Sequence, residues 1–217
     1  MWPEILPLGD QGLLVRFSRT LSDDSNRAAI AFARRLRDAL PHGVREIDPN
    51  LVSVLLRYDP RTVTFESLAG EVRLLLSVAG DGGEIAAAAA HRIAVRFGGE
   101  EGPDLAAAAA ALGMSVEVFV AQHNAVPLRV LTTGFAPGFV YCGFHPETMR
   151  LARRTSVRPP VLPGSVLFAA GQTAITSTAV PTGWHVIGRT AFRNFDPGAS
   201  PPTALREGDR VIFEALS

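Results

Sequence analysis

The chain has 217 residues, 47% of them hydrophobic, and its 21 basic side chains balance 21 acidic ones, for a formal charge of zero. Every basic residue is Arg, and the absence of Lys excludes a Schiff-base lysine, a Walker-type phosphate lysine and a biotin-bearing lysine within this chain. Neutral charge gives no electrostatic footprint for nucleic acid or a membrane surface, and the length allows one to two domains with ample core. The start Met1-Trp2-Pro3-Glu4 lacks a basic-then-apolar signal region, and a single Cys forms no internal disulfide, so a cytoplasmic protein is expected.

Residues 4–8 and 13–17 read as two strands joined by Gly9-Asp10-Gln11-Gly12. Ser22 is placed to cap a helix in which Ile30, Ala33, Leu36 and Leu40 recur at helical spacing, ended by Pro41-His42-Gly43. Residues 44–48 and 51–58 predict a second strand pair. A second helix over about 64–79 carries Leu68, Val72, Leu75, Leu76 and Ala79 on one stripe. The order β-β-α-β-β-α predicts a two-layer α+β domain, and core packing accounts for both stripes. Gly80-Asp81-Gly82-Gly83-Glu84 and the Ala run to Ala90 have the composition of a connection, which places the domains at 1–88 and 89–217.

Beyond it, residues 91–97 read as a strand, Asp104 as the cap of an Ala-rich helix to about Leu112, and Ser115 as the cap of another to about His123. After Pro127 come short strands, 128–132, 164–169, 184–188 and 210–213, separated by Gly/Pro loops, the pattern of a mainly-β barrel. The long uncharged stretches 130–146 and 159–188 are broken by Gly, Pro, Thr and Gln, so they predict buried strands and loops, not membrane spans.

The densest signal is Gly134-Phe135-Ala136-Pro137-Gly138-Phe139-Val140-Tyr141, three aromatics and two Gly in eight positions. It stands with Pro163-Gly164-Ser165-Val166, Ala170-Gly171-Gln172-Thr173, Gly183-Trp184, Ile187-Gly188-Arg189-Thr190 and Phe195-Asp196-Pro197. Over nearly its whole length this string resembles the allophanate hydrolase subunit 1 family, also called the KipI or PxpB family. The resemblance implies an α+β N-terminal domain followed by a cyclophilin-like β-barrel, and a C-type (subunit 2) partner of the same system. It further implies the B component of an ATP-dependent 5-oxoprolinase that opens 5-oxoproline to glutamate with an A-type third component; other members are named as histidine-kinase inhibitors. A carboxyltransferase-type subunit of a urea carboxylase-like system and, by fold analogy alone, a peptidyl-prolyl isomerase are further readings. The chain departs from the family pattern at Val140, Cys142 and Phe144, at Ala174 to Ser177, and at Thr182.

Arg is the residue type best suited here to an acidic substrate, an acyl phosphate or ATP, because a guanidinium holds carboxylate or phosphate through paired hydrogen bonds. Arg158 and Arg189, flanked by uncharged loops, are the leading binding candidates, whereas Arg150, Arg153 and Arg154 also suit salt bridges. Phe135, Gly138, Phe139 and Tyr141 are expected to wall the pocket, with Ser165, Gln172 and Thr173 adding neutral hydrogen bonds. Glu100 and Asp104 are candidate general bases, and His123 a candidate catalytic group that equally suits a helix C-terminus. Cys142 is the only thiol, with His145 three positions on, and a buried apolar Cys is the simpler reading. The five His show no zinc-ligand spacing, so no metal site and no covalently bound cofactor are expected; ATP with Mg is expected to be shared with partner subunits.

Overall fold

The computed structural model describes residues 2–78 and 89–216, and the chain divides into two compact units, Met1–Ala87 and Ala88–Ser217. Residues 80–88 of the expected connection, and with them the stripe position Ala79, lie outside the described residues, while its last residue, Ala90, already opens a strand.

In the first unit, β1 (Glu4–Leu8), β2 (Gly12–Arg16), α1 (Asp23–Ala39), β3 (Val44–Pro49), β4 (Ser53–Tyr58) and α2 (Phe65–Ser77) follow the predicted order. The antiparallel sheet runs β1-β2-β4-β3. Alternation along the central strands puts Leu13, Val15, Val54, Leu56 and Tyr58 on one face, where they pack against Phe32 and Leu36 of α1 and Leu68 and Val72 of α2. Ser22 caps α1 as expected, in a box with Ser25 whose two backbone-to-hydroxyl bonds are each 3.2 Å. Leu40 leaves the predicted stripe: it occupies the left-handed C-cap at φ 38° and is exposed, because the chain turns out of the helix there.

The second unit opens with β5 (Ala90–Phe97), α3 (Leu105–Ala111) and α4 (Val116–His123). Then come β6 (Leu128–Thr133), β7 (Val140–Gly143), β8 (Arg158–Val161), β9 (Ser165–Ala169), β10 (Gln172–Ile175), β11 (Val180–Thr182), β12 (His185–Arg189) and β13 (Arg210–Ala215). Seven of these close a barrel in the order β10-β7-β6-β13-β5-β12-β9, with β10 pairing back onto β9, and β8 and β11 form a separate two-stranded sheet. The mainly-β barrel is therefore as expected. Strands β7, β8, β10 and β11 lie within segments that sequence patterning left as loops or undivided apolar runs.

Those runs are uninterrupted because the strands are buried on both faces. Val166 and Phe168 of β9, Ile175 of β10 and Cys142 of β7 point into the barrel with Phe119 and Phe213. Leu167, Ala169 and Ala174 face outward into a second apolar layer with Val161, Val180 and Trp184, to which Tyr141 adds. The period-2 signal is lost when neither face meets water.

Phe119 is fully buried and meets Phe168 edge-on at 5.1 Å. Phe119→Ala is expected to lower the unfolding free energy by about 3–5 kcal/mol, measurable by urea denaturation, whereas the exposed Val118→Ala should change it by less than about 0.5 kcal/mol.

Candidate functional site

Asp104 stands just ahead of α3, where its sequence position predicts a helix cap, yet its side chain makes no capping bond. The carboxylate turns instead to the outer face of the barrel. Oδ2 accepts from the Val186 N–H at 2.8 Å, and Oδ1 accepts from Arg154 Nη1 at 2.9 Å and from Arg158 Nη2 at 2.5 Å. Asp104 is buried while both guanidiniums remain partly exposed, at 29% and 30% of their side chains. Both oxygens of this buried carboxylate are thus occupied by charged and backbone donors of the chain itself. Asp104, expected as a candidate general base, anchors two arginines in this geometry.

Beside this triad runs a line of rings. Phe135 and Phe139 lie 5.4 Å apart, Phe139 and Tyr141 4.8 Å, and Tyr141 and Trp184 5.9 Å, and the Arg153 guanidinium sits 5.6 Å from the Trp184 ring centre. Burial pushes the Tyr141 phenol above its ordinary pKa, with the positive charge of Arg153 pulling the other way. The main chain joins this wall to the triad, since Arg154 N–H donates to Gly183 O at 2.7 Å and Arg158 pairs with Thr182 across β8 and β11.

Phe135 is 73% exposed and holds φ 75°, the left-handed region that favours Gly. With residues 133–138, Phe195 and Thr203 it lines an open groove of about 420 Å³. Gly138, at φ 68°, is needed at the base of this loop: a Cβ there would stand 2.4 Å from Phe195 Cβ, and its carbonyl accepts from Ser177 Oγ and Asn194 Nδ2.

A different polar group lies inside the barrel. Thr173 Oγ1 is 2.8 Å from His123 Nε2 and 2.8 Å from His145 Nε2, and His123 Nδ1 is 2.7 Å from Asn124 Oδ1. With its Nδ1 proton donated to Asn124, His123 accepts the Thr173 hydroxyl proton on Nε2, and Thr173 in turn accepts from His145 Nε2–H. His145 Nδ1 is then a bare lone pair, consistent with its having no partner among the described residues. Burial among Phe97, Phe168 and Phe213 depresses both imidazoles, His123 to about 4 and His145 to about 3. His123, expected as a catalytic candidate, sits in this interior network fully buried, with both ring nitrogens occupied.

The remaining candidates separate in the same way. Phe139, Tyr141 and Arg158 come together on the outer face, with Phe135 and Gly138 at one end of the ring line. Thr173 belongs to the interior. Ser165 is spent locally, its hydroxyl donating to Leu162 O at 2.7 Å and its amide to Thr176 Oγ1 at 3.0 Å. Gln172 is buried on β10, and Arg189 donates through Nε to Pro163 O at 3.2 Å. Glu100 is exposed in a turn, and among the described residues its carboxylate enters no hydrogen bond or ion pair. Cys142 is buried, and desolvation pushes its thiol up to about 12. The pairing of His145 with His123, the doubling of Arg154 with Arg158, and Trp184 as a wall residue were missed. Only the Gly183-Trp184 dipeptide carried a local signal for any of them.

The interior histidines carry a pH dependence of definite sign. Their folded-state pKa values lie below the unfolded value near 6.5, so the unfolded chain binds more protons. Stability is full above pH 6.5 and declines as pH falls through 6.5 towards 4, by up to about 1.4 kcal/mol per pH unit for each histidine. Urea unfolding at pH 7.5, 6 and 5 checks this, and His145→Leu should flatten the slope by roughly half.

These geometries occur in a chain with recognisable relatives. The family described as carboxyltransferase domain, subdomain C and D, matches residues 3–205. The B component of 5-oxoprolinase from Bacillus subtilis (strain 168) is 32% identical over 99% of this chain and 93% of its own, and the one from Haemophilus influenzae is 30% identical over 96% of each. Among solved structures, TTHA0988 superposes with a TM-score of 0.82 at 34% identity, over 95% of this chain and 40% of that one. The Kluyveromyces lactis urea carboxylase superposes at 0.81 over 99% of this chain and 22% of that one, at 14% identity, which shows shared fold alone. The chain belongs to the carboxyltransferase subdomain C and D family, within the group of 5-oxoprolinase B components that its motif string resembles.

Proposed function

We propose that this protein is a non-autonomous subunit of an ATP-dependent 5-oxoprolinase-like complex, acting with a C-type partner and an A-type partner to convert 5-oxoproline, ATP and water to glutamate, ADP and phosphate. The end-to-end similarity to the B component of the B. subtilis 5-oxoprolinase carries the reading. The chain's own chemistry supports the non-autonomous part. Nucleophilic hydrolysis needs an activated nucleophile beside a base, whereas the thiol of Cys142 is held protonated and the buried histidines are held neutral and occupied.

What the chain offers is a binding face. Tyr141, partly exposed and backed by the buried rings of Phe139 and Trp184, supplies an apolar edge for a five-membered lactam, and Arg153, Arg154 and Arg158 supply positive charge beside it. In this reading the lactam oxygen takes the γ-phosphoryl group of ATP, releasing ADP, and the activated ring is passed to another subunit, where one water opens the C–N bond to leave an acyl phosphate and a second water releases phosphate and glutamate. Phosphate and Mg contacts are shared with the partners, with Arg as this chain's only side-chain cation of high pKa.

Reconstitution with the C-type and A-type partners is expected to give ATP-dependent glutamate release from 5-oxoproline only when this chain is present. Undiminished release without it would contradict the reading. In the complete mixture Cys142→Ala should keep turnover within about twofold, since a thiol held at about 12 contributes no thiolate near neutral pH. Trp184→Ala should raise KM at least tenfold, read from initial rates against 5-oxoproline concentration.

A further inference from the structure

The triad around Asp104 is unbalanced. One carboxylate faces two guanidiniums, and one of its two oxygens is already committed to the Val186 amide. Among the described residues no other carboxylate lies within ion-pair distance of Arg154 or Arg158. Each arginine gives a single N–H to Asp104 out of five donors, and the Nε–H of each is buried without a partner among the described residues. Arg154 spends Nη1, so the edge formed by Nε and Nη2, the one that matches the two oxygens of a carboxylate, is unspent. Arg153, next in sequence, adds a third positive charge that is spread over Trp184 instead of an acid.

A fold that only needed Asp104 neutralised would need one arginine. Two partly exposed guanidiniums pinned to one buried oxygen hold an excess positive charge in fixed position, at the cost of mutual repulsion and unsatisfied donors. That cost is removed by an anion.

We propose that Arg154 and Arg158 form a carboxylate-binding site, taking one small carboxylic acid anion across the donors that Asp104 leaves unspent, beside the Tyr141–Trp184 wall. Asp104 is the positioning residue: it fixes both forks but does not touch the ligand. On the 5-oxoprolinase reading the ligand is the ring carboxylate of 5-oxoproline, and only that last identification rests on the reading.

The test is a titration of the full-length 15N-labelled protein, following the arginine Nε–Hε resonances at constant ionic strength. Acetate and 5-oxoproline are expected to shift the Arg154 and Arg158 signals saturably, whereas 2-pyrrolidinone, the same ring without a carboxylate, leaves them in place. Arg154→Gln should weaken carboxylate binding at least tenfold without lowering the melting temperature, because Asp104 keeps Arg158 and the Val186 amide; Arg158→Gln provides the mirror test. Response to acetate but not to 5-oxoproline supports the site and removes the 5-oxoprolinase identification. Absence of a saturable shift with either carboxylate, tighter binding of inorganic phosphate than of both, or a marked fall in melting temperature for both variants would overturn the proposal.

Discussion

The outer face of the barrel depends on how one buried carboxylate is shared. Asp104 bonds the Val186 amide of β12 through one oxygen and, through the other, two arginines that lie 50 and 54 residues further along the chain. Those contacts fix the segment between the 3-10 turn at Glu147–Met149 and β8 against the barrel wall. They also fix where Arg153 reaches Trp184. A buried ion pair with imperfect stoichiometry is a poor stabiliser, because desolvation offsets most of the Coulombic gain. Its value lies in the fixed direction it gives to the guanidiniums, and arginine suits that task because its donors are planar and its charge is permanent.

Strands β7, β9 and β10 separate two polar systems that do not mix. On the inside, Thr173 ties His123 to His145 among phenylalanines, in a setting that keeps both rings uncharged at neutral pH. On the outside, Tyr141, the neighbour of inward-facing Cys142, joins the aromatic wall. Alternation thus sends consecutive residues of one motif to different environments. The interior group is sealed from water, whereas the outer group carries partly exposed charge beside a ring line that is exposed at Phe135.

Much of the architecture was legible from sequence because local signals and burial agreed. The caps at Ser22 and Ser115, the stripes on α1 and α2, and the Gly and Pro breaks around the barrel strands all point the same way. The site was less legible, for two physical reasons. Strands buried on both faces lose their period-2 pattern, so nothing in the string from Gln172 to Ile175 says that Thr173 faces in and Ala174 faces out. Pairings across long separations also leave no local trace. Asp104 reads as a cap because it precedes an Ala-rich helix, and only the folded barrel brings it to Arg154 and Arg158. His123 on α4 and His145 just after β7, 22 positions apart, meet ring to ring at 4.8 Å and share the Thr173 hydroxyl of β10. Arg158 was recognisable from its uncharged flanks, but its partner Arg154 sat in a basic run that equally suited solvent.

The decisive measurement is a comparison of unfolding free energies for Asp104→Ala and for the triple variant Asp104→Ala/Arg154→Gln/Arg158→Gln, both by urea denaturation at pH 7.5. If Asp104 is what holds two guanidiniums against the barrel, its loss alone costs about 3–5 kcal/mol, as for other broken buried pairs, and removing both arginines restores at least half of that. A single-variant loss below about 1 kcal/mol, or a triple variant no more stable than the single, would contradict it.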